Sequence, residues 1–333
     1  MRVLSLFSGR GGLDLGFEGG FDVLKEAVNF NINSDWSTSP SSSGLLRLQK
    51  TGFNTVFAND ISLASERTWK FHFENYGGSY TKRMFKRQSI VDWVKNIKRG
   101  RDEAPQDIDV ITGGFPCQDF SVAGKRRGFQ SNKLHNQKLD NHYKHPTEEN
   151  RGMLYWWMRE MIELVKPKMF VAENVKGLIS LNQAREIIES DFRDIGDGYI
   201  VIPSRVLKAY EYGVPQSRER VFFIGFDKSR LSEDALRKLQ SDRIDEDYNP
   251  YPSPTHYLLE NDNSFEHNSG LMPHVTVRDA LRNLQEPHQS QDLSQQNYSK
   301  AKWMGRHCQG QIEIKLDAIS PTIRAEHHGN IEF

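Results

Sequence analysis

The beginning of the chain, where a short apolar run meets a cluster of glycines, most constrains the fold. Val3–Phe7 is largely apolar, and Gly9-Arg-Gly-Gly12 follows after one serine. A helical pattern of apolar residues begins at Leu13, so the order is strand, glycine turn, helix. In open α/β sheets such a turn lets backbone amides approach a ligand at the carboxyl end of the first strand. The opening therefore predicts an α/β sheet with a ligand site beside its first turn.

Strands and helices continue to alternate as far as about residue 226. This alternation indicates parallel βαβ units with right-handed crossovers, and we predict a doubly wound α/β domain over residues 1–248. The segment Asn31–Gly44, rich in Ser, Asn, Thr and Pro, is predicted to be an exposed loop. The further predicted strands are Asn54–Ala58, Asp109–Thr112, Met169–Ala172, Tyr199–Leu207 and Arg220–Phe226, and the helices are Ser65–Phe73, Met153–Val165 and Ala184–Ile195.

The pattern becomes irregular after Asp227, with an acidic stretch at Asp242–Asp247 and a polar, His-rich segment beyond it. We place a boundary near residue 250 and expect a second, smaller domain over residues 249–333. His327 and His328 lack a third ligand at helical or turn spacing, so we predict no metal site.

Cysteine content and hydropathy exclude several classes of protein. The 333 residues include two cysteines, Cys117 and Cys308, which cannot form a disulfide framework or a four-Cys zinc site. The N-terminal apolar run is too short for a signal peptide, and no stretch approaches the ~20 apolar residues of a membrane span. We therefore expect a cytoplasmic protein with no membrane association.

The overall charge argues at first against a nucleic-acid partner. Forty-four Lys and Arg balance 44 Asp and Glu, whereas DNA-binding domains usually carry a basic excess. Positive charge is nevertheless concentrated in two runs: residues 124–144 hold six Lys and Arg with one acid, and residues 82–99 hold seven with one acid. Each run is compatible with phosphate contacts or with a merely solvated surface.

The ends of the first two strands point to a nucleotide-like cofactor. The glycine turn does not match G-x-G-x-x-G, because Asp14 occupies the third glycine position. The second strand ends at Asp60, whose carboxylate is suited to accept hydrogen bonds from ribose hydroxyls. Together these features favour an adenosine-containing cofactor other than a dinucleotide, the alternative being a structural turn and a surface aspartate.

The next two strands deliver reactive side chains to the same edge of the predicted sheet. Pro116 ends the third strand and presents Cys117 rigidly, making it a candidate nucleophile if cations lower its pKa, although a lone cysteine is often only a small buried apolar residue. The fourth strand ends in Glu173, and Arg218 and Arg220 precede another strand. These arginines would either clamp an oxygen or form surface salt bridges.

Several motifs in this order resemble the DNA (cytosine-5)-methyltransferases over roughly residues 2–226. The resemblance implies a Rossmann-like, S-adenosylmethionine-dependent methyltransferase fold followed by a target-recognition domain. The motifs are Phe7-Ser-Gly-Arg-Gly-Gly12, Asn59-Asp60, Gly114-Phe-Pro-Cys-Gln118, Arg151-Gly152, Glu173-Asn-Val175 and Gln216-Ser-Arg-Glu-Arg220.

The resemblance also implies a mechanism. The thiolate of Cys117 would add to C6 of cytosine, which turns C5 into a carbon nucleophile that takes the methyl group. Glu173 would hold N3 and the exocyclic amine, Arg220 would bind O2, and Arg218 would support Arg220.

By the same resemblance, S-adenosylmethionine would lie across the first turn, with Asp60 on its ribose and Ile61 against adenine. Ser89 stands where the family has an acidic residue on the adenine amine. The cofactor-binding residues implied are Phe7, Gly9, Arg10, Gly11, Gly12, Asp60, Ile61, Ser89, Ile90, Gly114, Pro116 and Leu154.

The substrate implied is double-stranded DNA, with the target cytosine flipped out of the duplex. The loop Asp119–Glu149 would clamp the DNA, and a role in a bacterial restriction–modification system, on nucleoid DNA, is also implied. The DNA-binding residues expected are Gln118, Ser121, Lys125, Arg126 and Arg127.

The C-terminal part departs from the family pattern. No Gly-Asn motif with a closing helix for the cofactor pocket is evident, so we expect either a second polypeptide that supplies it or a truncated gene product with little activity alone. Three alternatives stay open: a non-catalytic or partner-dependent DNA- or cofactor-binding fragment, a tRNA cytosine-5 methyltransferase, whose Cys-Phe-Thr signature is absent, and a nicotinamide dehydrogenase, which Asp14 disfavours.

Overall fold

The computed structural model describes residues 1–36, 38–41, 44–75, 83–116, 154–180, 183–241, 243–258, 270–282, 284–285, 288–291 and 314–323. The chain divides into two compact units, each made of separated segments. The first comprises Met1–Gly20, Lys50–Val206 and Arg220–Pro252, and the second comprises Phe21–Gln49, Leu207–Glu219 and Ser253–Phe333. The division predicted at residue 248 stays a prediction.

The strands and helices are numbered here in chain order. The strands are β1 (Arg2–Leu6), β2 (Asp22–Leu24), β3 (Thr38–Pro40), β4 (Leu45–Leu48), β5 (Asn54–Asp60), β6 (Met84–Arg87), β7 (Val110–Gly114), β8 (Met169–Val175), β9 (Tyr199–Lys208), β10 (Glu219–Asp227), β11 (His256–Tyr257) and β12 (Met272–Pro273). The helices are α1 (Gly12–Glu18), α2 (Leu63–Asn75), α3 (Ile90–Lys98), α4 (Leu154–Val165), α5 (Ala184–Arg193), α6 (Glu233–Leu239) and α7 (Val277–Leu281).

The first unit is built on a seven-stranded sheet with the order β6-β5-β1-β7-β8-β10-β9. The five strands β6, β5, β1, β7 and β8 are parallel to one another, so their carboxyl ends meet at one edge. The predicted α/β fold is confirmed, and the predicted elements are present with bounds shifted by at most three residues. The sequence prediction did not identify β6 or α3, which lie within the basic run at residues 82–99.

One strand departs from the parallel βαβ units that the alternation of strands and helices predicts. β10 runs antiparallel to β8, with Phe222 opposite Glu173 and Arg220 opposite Val175. A parallel neighbour would need a crossover of about a dozen residues or more, usually a helix. The segment between β9 and β10 is shorter and contains only a short 3-10 turn, Ala209–Tyr212, so the chain reverses direction.

Aromatic side chains fill the core of the first unit. The rings of Phe170 and Phe192 are 4.7 Å apart, and the ring of Phe57 stacks on Trp93 at 5.4 Å. Full burial of a side chain of this size contributes about 1.5–3 kcal/mol. Several large side chains are completely excluded from solvent, among them Trp69, Trp93, Phe170, Phe192, Phe223 and Met158.

The second unit contains a three-stranded antiparallel sheet in the order β2-β4-β3 and a parallel pair, β11 and β12. The prediction of a loop over Asn31–Gly44 is wrong for Thr38–Pro40, which forms β3 and pairs with β4. Ser, Thr and Pro do not exclude an edge strand, because a proline is tolerated where its missing N–H faces away from the ladder.

Buried hydrogen bonds connect distant segments within the second unit. The amide of Asn29, fully buried, donates to the carbonyls of Thr255 at 2.8 Å and Gly270 at 2.6 Å. The ring of His256 lies 3.0 Å from the Glu26 carbonyl through Nε2, and Nδ1 lies 2.8 Å from the Thr255 hydroxyl. Burial lowers the pKa of His256, so the neutral ring, with Nε2–H donating, fits both contacts. The segment Phe21–Gln49 is therefore an integral part of this unit.

Replacement of Gly225 by alanine should destabilise the first unit. A Cβ at this position would lie 2.1 Å from a ring carbon of Phe170, which has no room to withdraw. Overpacking of this kind costs about 1–3 kcal/mol. Gly16→Ala is the matched control, because a Cβ there meets nothing within 4 Å and alanine favours the helix by about 0.5–1 kcal/mol. Chemical denaturation should show opposite shifts for the two variants, and equal shifts would contradict this packing argument.

Candidate active site

The turn after β1 has a backbone that few side chains tolerate. Gly9 and Gly11 have positive φ angles of 55° and 87°, and Phe7 also has a positive φ, 51°. The amide of Gly11 donates to the carbonyl of Ser8 at 2.9 Å, which closes the turn. Glycine adopts such angles without steric cost, so the cluster of glycines at residues 9–12 has a direct conformational reason.

Asp60 connects this turn to the end of the neighbouring strand. One carboxylate oxygen accepts the backbone N–H of Gly9 at 2.9 Å, and the other accepts the N–H of Ser62 at 2.8 Å. A carboxylate has about four lone-pair sites, so Asp60 keeps acceptor capacity for a further donor. The carbonyl of the residue before it, Asn59, accepts the N–H of Ser8 at 3.0 Å.

The side chain of Asn59 positions the next strand connection. Its amide donates to the carbonyls of Lys86 at 2.9 Å and Gln88 at 2.8 Å, and the residue is almost completely buried. These bonds hold the end of β6 beside the end of β5. They also bring Gln88 and Ser89 to the same edge as the glycine turn.

A cavity of about 220 Å³ opens at this edge of the sheet. Eight residues predicted to bind the cofactor line it, together with Asn59 and Gln88, which the sequence prediction did not include. The eight are Phe7, Asp60, Ile61, Ser89, Ile90, Gly114, Pro116 and Leu154. The other four predicted residues, Gly9, Arg10, Gly11 and Gly12, form the adjoining turn and the first residue of α1 and are not among the lining residues.

Ser89 carries an unused hydrogen-bonding group at the cavity. The residue precedes α3 and its side chain does not cap the helix. Its hydroxyl oxygen is buried and has no hydrogen-bond partner in the part of the chain that the structure describes. Because buried polar atoms are usually satisfied, this hydroxyl is available to a ligand that enters the cavity.

Glu173 and Arg220 form an ion pair at the same edge of the sheet, close to the cavity. The guanidinium Nε of Arg220 lies 2.7 Å from a carboxylate oxygen of Glu173, and both side chains are about one-fifth exposed. Glu173 is opposite Gly114 in the β7–β8 ladder. A Cβ on Gly114 would lie 3.0 Å from the other carboxylate oxygen, so glycine at this position leaves room for the acid.

Asn174 connects this pair to the segment that precedes Cys117. Its buried amide donates to the carbonyl of Phe115 at 3.1 Å, and its side-chain oxygen accepts the N–H of Val175 at 2.8 Å. Phe115 is buried and Pro116 lines the cavity. The structure thus places the chain immediately before Cys117 next to the strand that carries Glu173.

The remaining predicted residues are distributed differently. Arg218 lies in the second unit, where its guanidinium approaches the carbonyl of Ile323 at 3.5 Å. Five predicted DNA-binding residues and the candidate nucleophile lie outside the described residues: Cys117, Gln118, Ser121, Lys125, Arg126 and Arg127.

Four of the six described basic residues in the run at residues 82–99 form ion pairs with acids of their own unit. The ammonium group of Lys95 also lies over the Trp157 ring, 5.4 Å from its centre. These contacts favour a structural role for the run over phosphate binding. The ion pairs are Arg83 with Glu18, Lys86 with Asp102, Arg87 with Glu66, and Lys98 with Glu160.

The described residues contain neither a metal-binding cluster nor a membrane-spanning helix. No group of three or more His, Cys, Asp or Glu within them is arranged to hold a metal ion. No helix among the described elements is long and apolar enough to cross a membrane.

Comparison with known protein families agrees with this arrangement. The family model for C-5 cytosine-specific DNA methylases matches residues 44–139 and 141–328. The chain belongs to this methylase family.

Individual relatives of this methylase chain cover most of its length. The Type II methyltransferase M.BspRI of Lysinibacillus sphaericus is 30% identical over 284 residues, 85% of this chain and 52% of the relative. The Type II methyltransferase M.BsuRI of Bacillus subtilis is 31% identical over 287 residues, 85% of this chain and 51% of the relative. The chain thus spans about half the length of these relatives.

One solved structure is also similar to this methylase chain. It is a putative DNA modification methyltransferase encoded within an E. coli prophage, with 22% identity and a TM-score of 0.48, and the match covers 86% of this chain and 56% of that one.

Asn174→Asp should destabilise the methylase chain more than Asn174→Ala. Either change removes the donor to the Phe115 carbonyl, and an unsatisfied buried group costs about 1–3 kcal/mol. Aspartate also places a carboxylate against that carbonyl in a buried position. The free energy of unfolding, measured with urea, should decrease in the order wild type, alanine, aspartate. An aspartate variant as stable as the wild type would show that the amide does not hold the strand end.

Proposed function

We propose that this chain transfers a methyl group from S-adenosylmethionine to C5 of a cytosine in double-stranded DNA. The observation that carries the proposal is the common edge of the sheet. There the ion pair of Glu173 and Arg220 adjoins the strand end that leads into Cys117, beside a cavity bordered by the glycine turn.

The cavity residues fit the nucleoside part of the cofactor. Asp60 keeps acceptor capacity for ribose hydroxyls, Ile61 is half exposed and offers an apolar contact for adenine, and the Ser89 hydroxyl lacks a partner among the described residues. The volume of about 220 Å³ is below the ~300–1,000 Å³ typical of drug-sized ligands. We therefore assign the cavity to adenosine, with the remainder of the cofactor beside the glycine turn.

Ser89 would contact adenine through an uncharged hydrogen-bond acceptor. The hydroxyl can accept a hydrogen bond from the exocyclic amine just as a carboxylate can, although a neutral acceptor forms a weaker bond than a charged one. Its burial and its lack of a partner supply the reason for the contact. The absence of an acid at this position is therefore compatible with cofactor binding.

The chain's own residues would then activate the cytosine. The thiolate of Cys117 forms a bond to C6, and the displaced electron density gives C5 nucleophilic character while Glu173 holds N3 and the exocyclic amine and Arg220 holds O2. S-adenosylmethionine, when bound, would supply the electrophilic methyl group through cleavage of its sulfur–methyl bond and leave as S-adenosylhomocysteine. Loss of the C5 proton and cleavage of the Cys117–C6 bond restore the thiolate and release 5-methylcytosine.

The Glu173–Arg220 pair suits this role because its members are already oriented. The acid and the cation hold each other at 2.7 Å, so little reorganisation is needed when cytosine arrives, and prearranged polar groups are a main source of catalytic stabilisation. Access to C6 requires the base to leave the duplex, at a cost of a few kcal/mol. The loop after Cys117, with Lys125, Arg126 and Arg127, is our candidate for holding the opened DNA.

The biological setting that we propose is protection of bacterial DNA in a restriction–modification system. Support comes from the relatives, which are named Type II methyltransferases. A second polypeptide that completes the enzyme stays part of the proposal.

Methyl transfer and cofactor binding, measured separately, test the function. With labelled S-adenosylmethionine and duplex DNA, Cys117→Ser should abolish transfer, and Glu173→Gln should lower its rate by about 10²–10⁴-fold because a positioned acid is lost. Both variants should still bind S-adenosylmethionine in calorimetric titration. Glu163→Gln, on α4 and partly exposed, is the matched control and should transfer normally.

The outcomes separate the candidate activities. Transfer to tRNA and not to DNA would overturn the proposed substrate. Cofactor binding without transfer, alone and with any polypeptide encoded next to this chain, would support a non-catalytic fragment. Transfer to DNA that survives Cys117→Ser would refute the covalent mechanism.

We also propose that the second unit recognises the DNA sequence, and that the segment Phe21–Gln49 contributes to it by holding the C-terminal part in place. Asn29 supports this because its buried amide satisfies two carbonyls more than 200 residues away in the chain. An asparagine at this position therefore fixes where β11 begins and where the chain lies before β12.

Asn29→Ala should reduce the affinity for duplex DNA about tenfold or more while leaving the affinity for S-adenosylmethionine unchanged. The two carbonyls lose their donor, at about 1–3 kcal/mol each, and the strands that depend on them shift. Fluorescence anisotropy with a random-sequence duplex pool and calorimetry with the cofactor would measure the two effects. Asn31→Ala, exposed, is the control. Unchanged DNA binding in Asn29→Ala would show that the segment is peripheral to recognition.

A further inference from the structure

Asp14 is a buried carboxylate to which the proposed reaction assigns no role. It lies in α1, two residues after Gly12, and is completely excluded from solvent. Burial raises the pKa of Asp14 to about 6. Burial of an ionisable side chain costs free energy unless the side chain is hydrogen-bonded or paired, so the hydrogen bonds of Asp14 indicate its role.

Asp14 fixes the indole of Trp69 on the neighbouring helix. The indole N–H donates to a carboxylate oxygen of Asp14 at 2.7 Å, and both residues are fully buried. The Trp69 ring stacks on Phe73, one helical turn away in α2, with ring centres 4.8 Å apart. The hydrogen bond therefore sets the rotation of an indole that would otherwise be located by packing alone.

The two aromatic rings occupy the space directly behind Gly11. A Cβ on Gly11 would lie 2.4 Å from a ring carbon of Phe73 and 2.9 Å from Cδ1 of Trp69. Gly11 has a φ of 87°, which residues with a side chain rarely adopt. The rings thus support the backbone of the turn from the side of the core, and only glycine leaves room for them.

Arg83 and Glu18 form a second set of contacts around the Trp69–Phe73 pair. The guanidinium of Arg83 lies over the Phe73 ring at 5.5 Å. Arg83 also forms a two-point ion pair with Glu18, at the end of α1, and both side chains are nearly buried. Glu18 in turn accepts the N–H of Thr55 at 2.8 Å. The aromatic pair is therefore enclosed by polar contacts from β5, α1 and the residue before β6.

The glycine turn is consequently held at two points. Asp60 accepts the N–H of Gly9 on the side of the cavity, and the Trp69–Phe73 pair abuts Gly11 on the side of the core. Phe7, which begins the turn, lines the cavity. Displacement of Gly11 would move this backbone relative to the bound cofactor.

We propose that Asp14 is a positioning residue for S-adenosylmethionine: through Trp69 it fixes Gly11 and thereby the turn that borders the cofactor cavity. This inference rests on the proposed function. It requires only that Asp14 act as a hydrogen-bond acceptor, so an uncharged acceptor of the same size should replace it.

Four variants separate positioning from simple stabilisation of the core. Asp14→Ala removes the acceptor, Trp69→Phe removes the donor and keeps an aromatic ring, and Asp14→Asn keeps an acceptor. Ile188→Ala, in the fully buried face of α5, creates a core defect away from the cavity. Each purified full chain is titrated with S-adenosylmethionine by calorimetry at a temperature at which it is folded, and thermal unfolding is recorded in parallel.

The expected result is a difference in cofactor affinity that melting temperatures do not explain. Asp14→Ala and Trp69→Phe should raise the Kd at least tenfold, and Asp14→Asn should stay within threefold of the wild type. The Asp14→Ala, Trp69→Phe double variant should bind S-adenosylmethionine about as well as Asp14→Ala alone, because Asp14→Ala has already removed the hydrogen bond that Trp69→Phe removes. Ile188→Ala should lower the melting temperature with an unchanged Kd.

Other results would overturn the inference. If Asp14→Ala binds the cofactor as well as Ile188→Ala does, the role of Asp14 is only structural. If Asp14→Asn binds as weakly as Asp14→Ala, the charge and not the hydrogen bond matters. If the wild-type chain binds no S-adenosylmethionine, the proposed function fails, whereas wild-type binding with insensitive variants rejects only the role of Asp14. Should Asp14→Ala not fold, Trp69→Phe and Asp14→Asn still give the comparison.

Discussion

The alignment of parallel strand ends at one edge of the seven-stranded sheet is the constraint on which the candidate site depends. β5, β1, β7 and β8 are consecutive neighbours, and adjacent strands lie about 4.8 Å apart. Four strand ends therefore lie within about 15 Å of one another. Asp60, the glycine turn, Gly114 and Glu173 are widely separated in sequence. They lie close together because parallel pairing brings the carboxyl ends of their strands to the same edge of the sheet.

Local sequence predicted the parts of the site that depend on strand ends, since a strand, a glycine turn and a polar residue leave a signal within a few positions. The hydrogen bonds that position the strand ends leave no signal in the local sequence. Asn59 holds Lys86 and Gln88, and Asn174 holds Phe115, through bonds between residues far apart in the chain. Asparagine in a strand is unfavourable by propensity, and a buried structural role is one physical reason to keep it there.

The ion-pair partners of the basic run at residues 82–99 also could not be predicted from local sequence. The basic run at residues 82–99 looks like a phosphate-binding surface in sequence, because its acidic partners Glu18, Glu66 and Glu160 are elsewhere in the chain. The fold brings these acids, together with Asp102, to four of the run's described basic residues within one unit. Likewise, Phe21–Gln49 looks like an insertion between α1 and β5, and long-range contacts, such as the bonds from Asn29 to Thr255 and Gly270, show to which unit it belongs.

The reversal of β10 explains how an arginine reaches Glu173. Arg220 lies at the start of β10, and Glu173 lies near the end of β8. In parallel strands a start and an end lie at opposite edges, so a parallel β10 would have carried Arg220 away by roughly 20 Å, at about 3.3 Å per residue over six residues. The predicted grouping of Glu173 and Arg220 at one edge therefore requires an antiparallel β10. The observed ladder meets this requirement, since it sets Arg220 opposite Val175, two residues from Glu173. The connection between β9 and β10, too short for a crossover, thus determines both the direction of the strand and the partner of the acid.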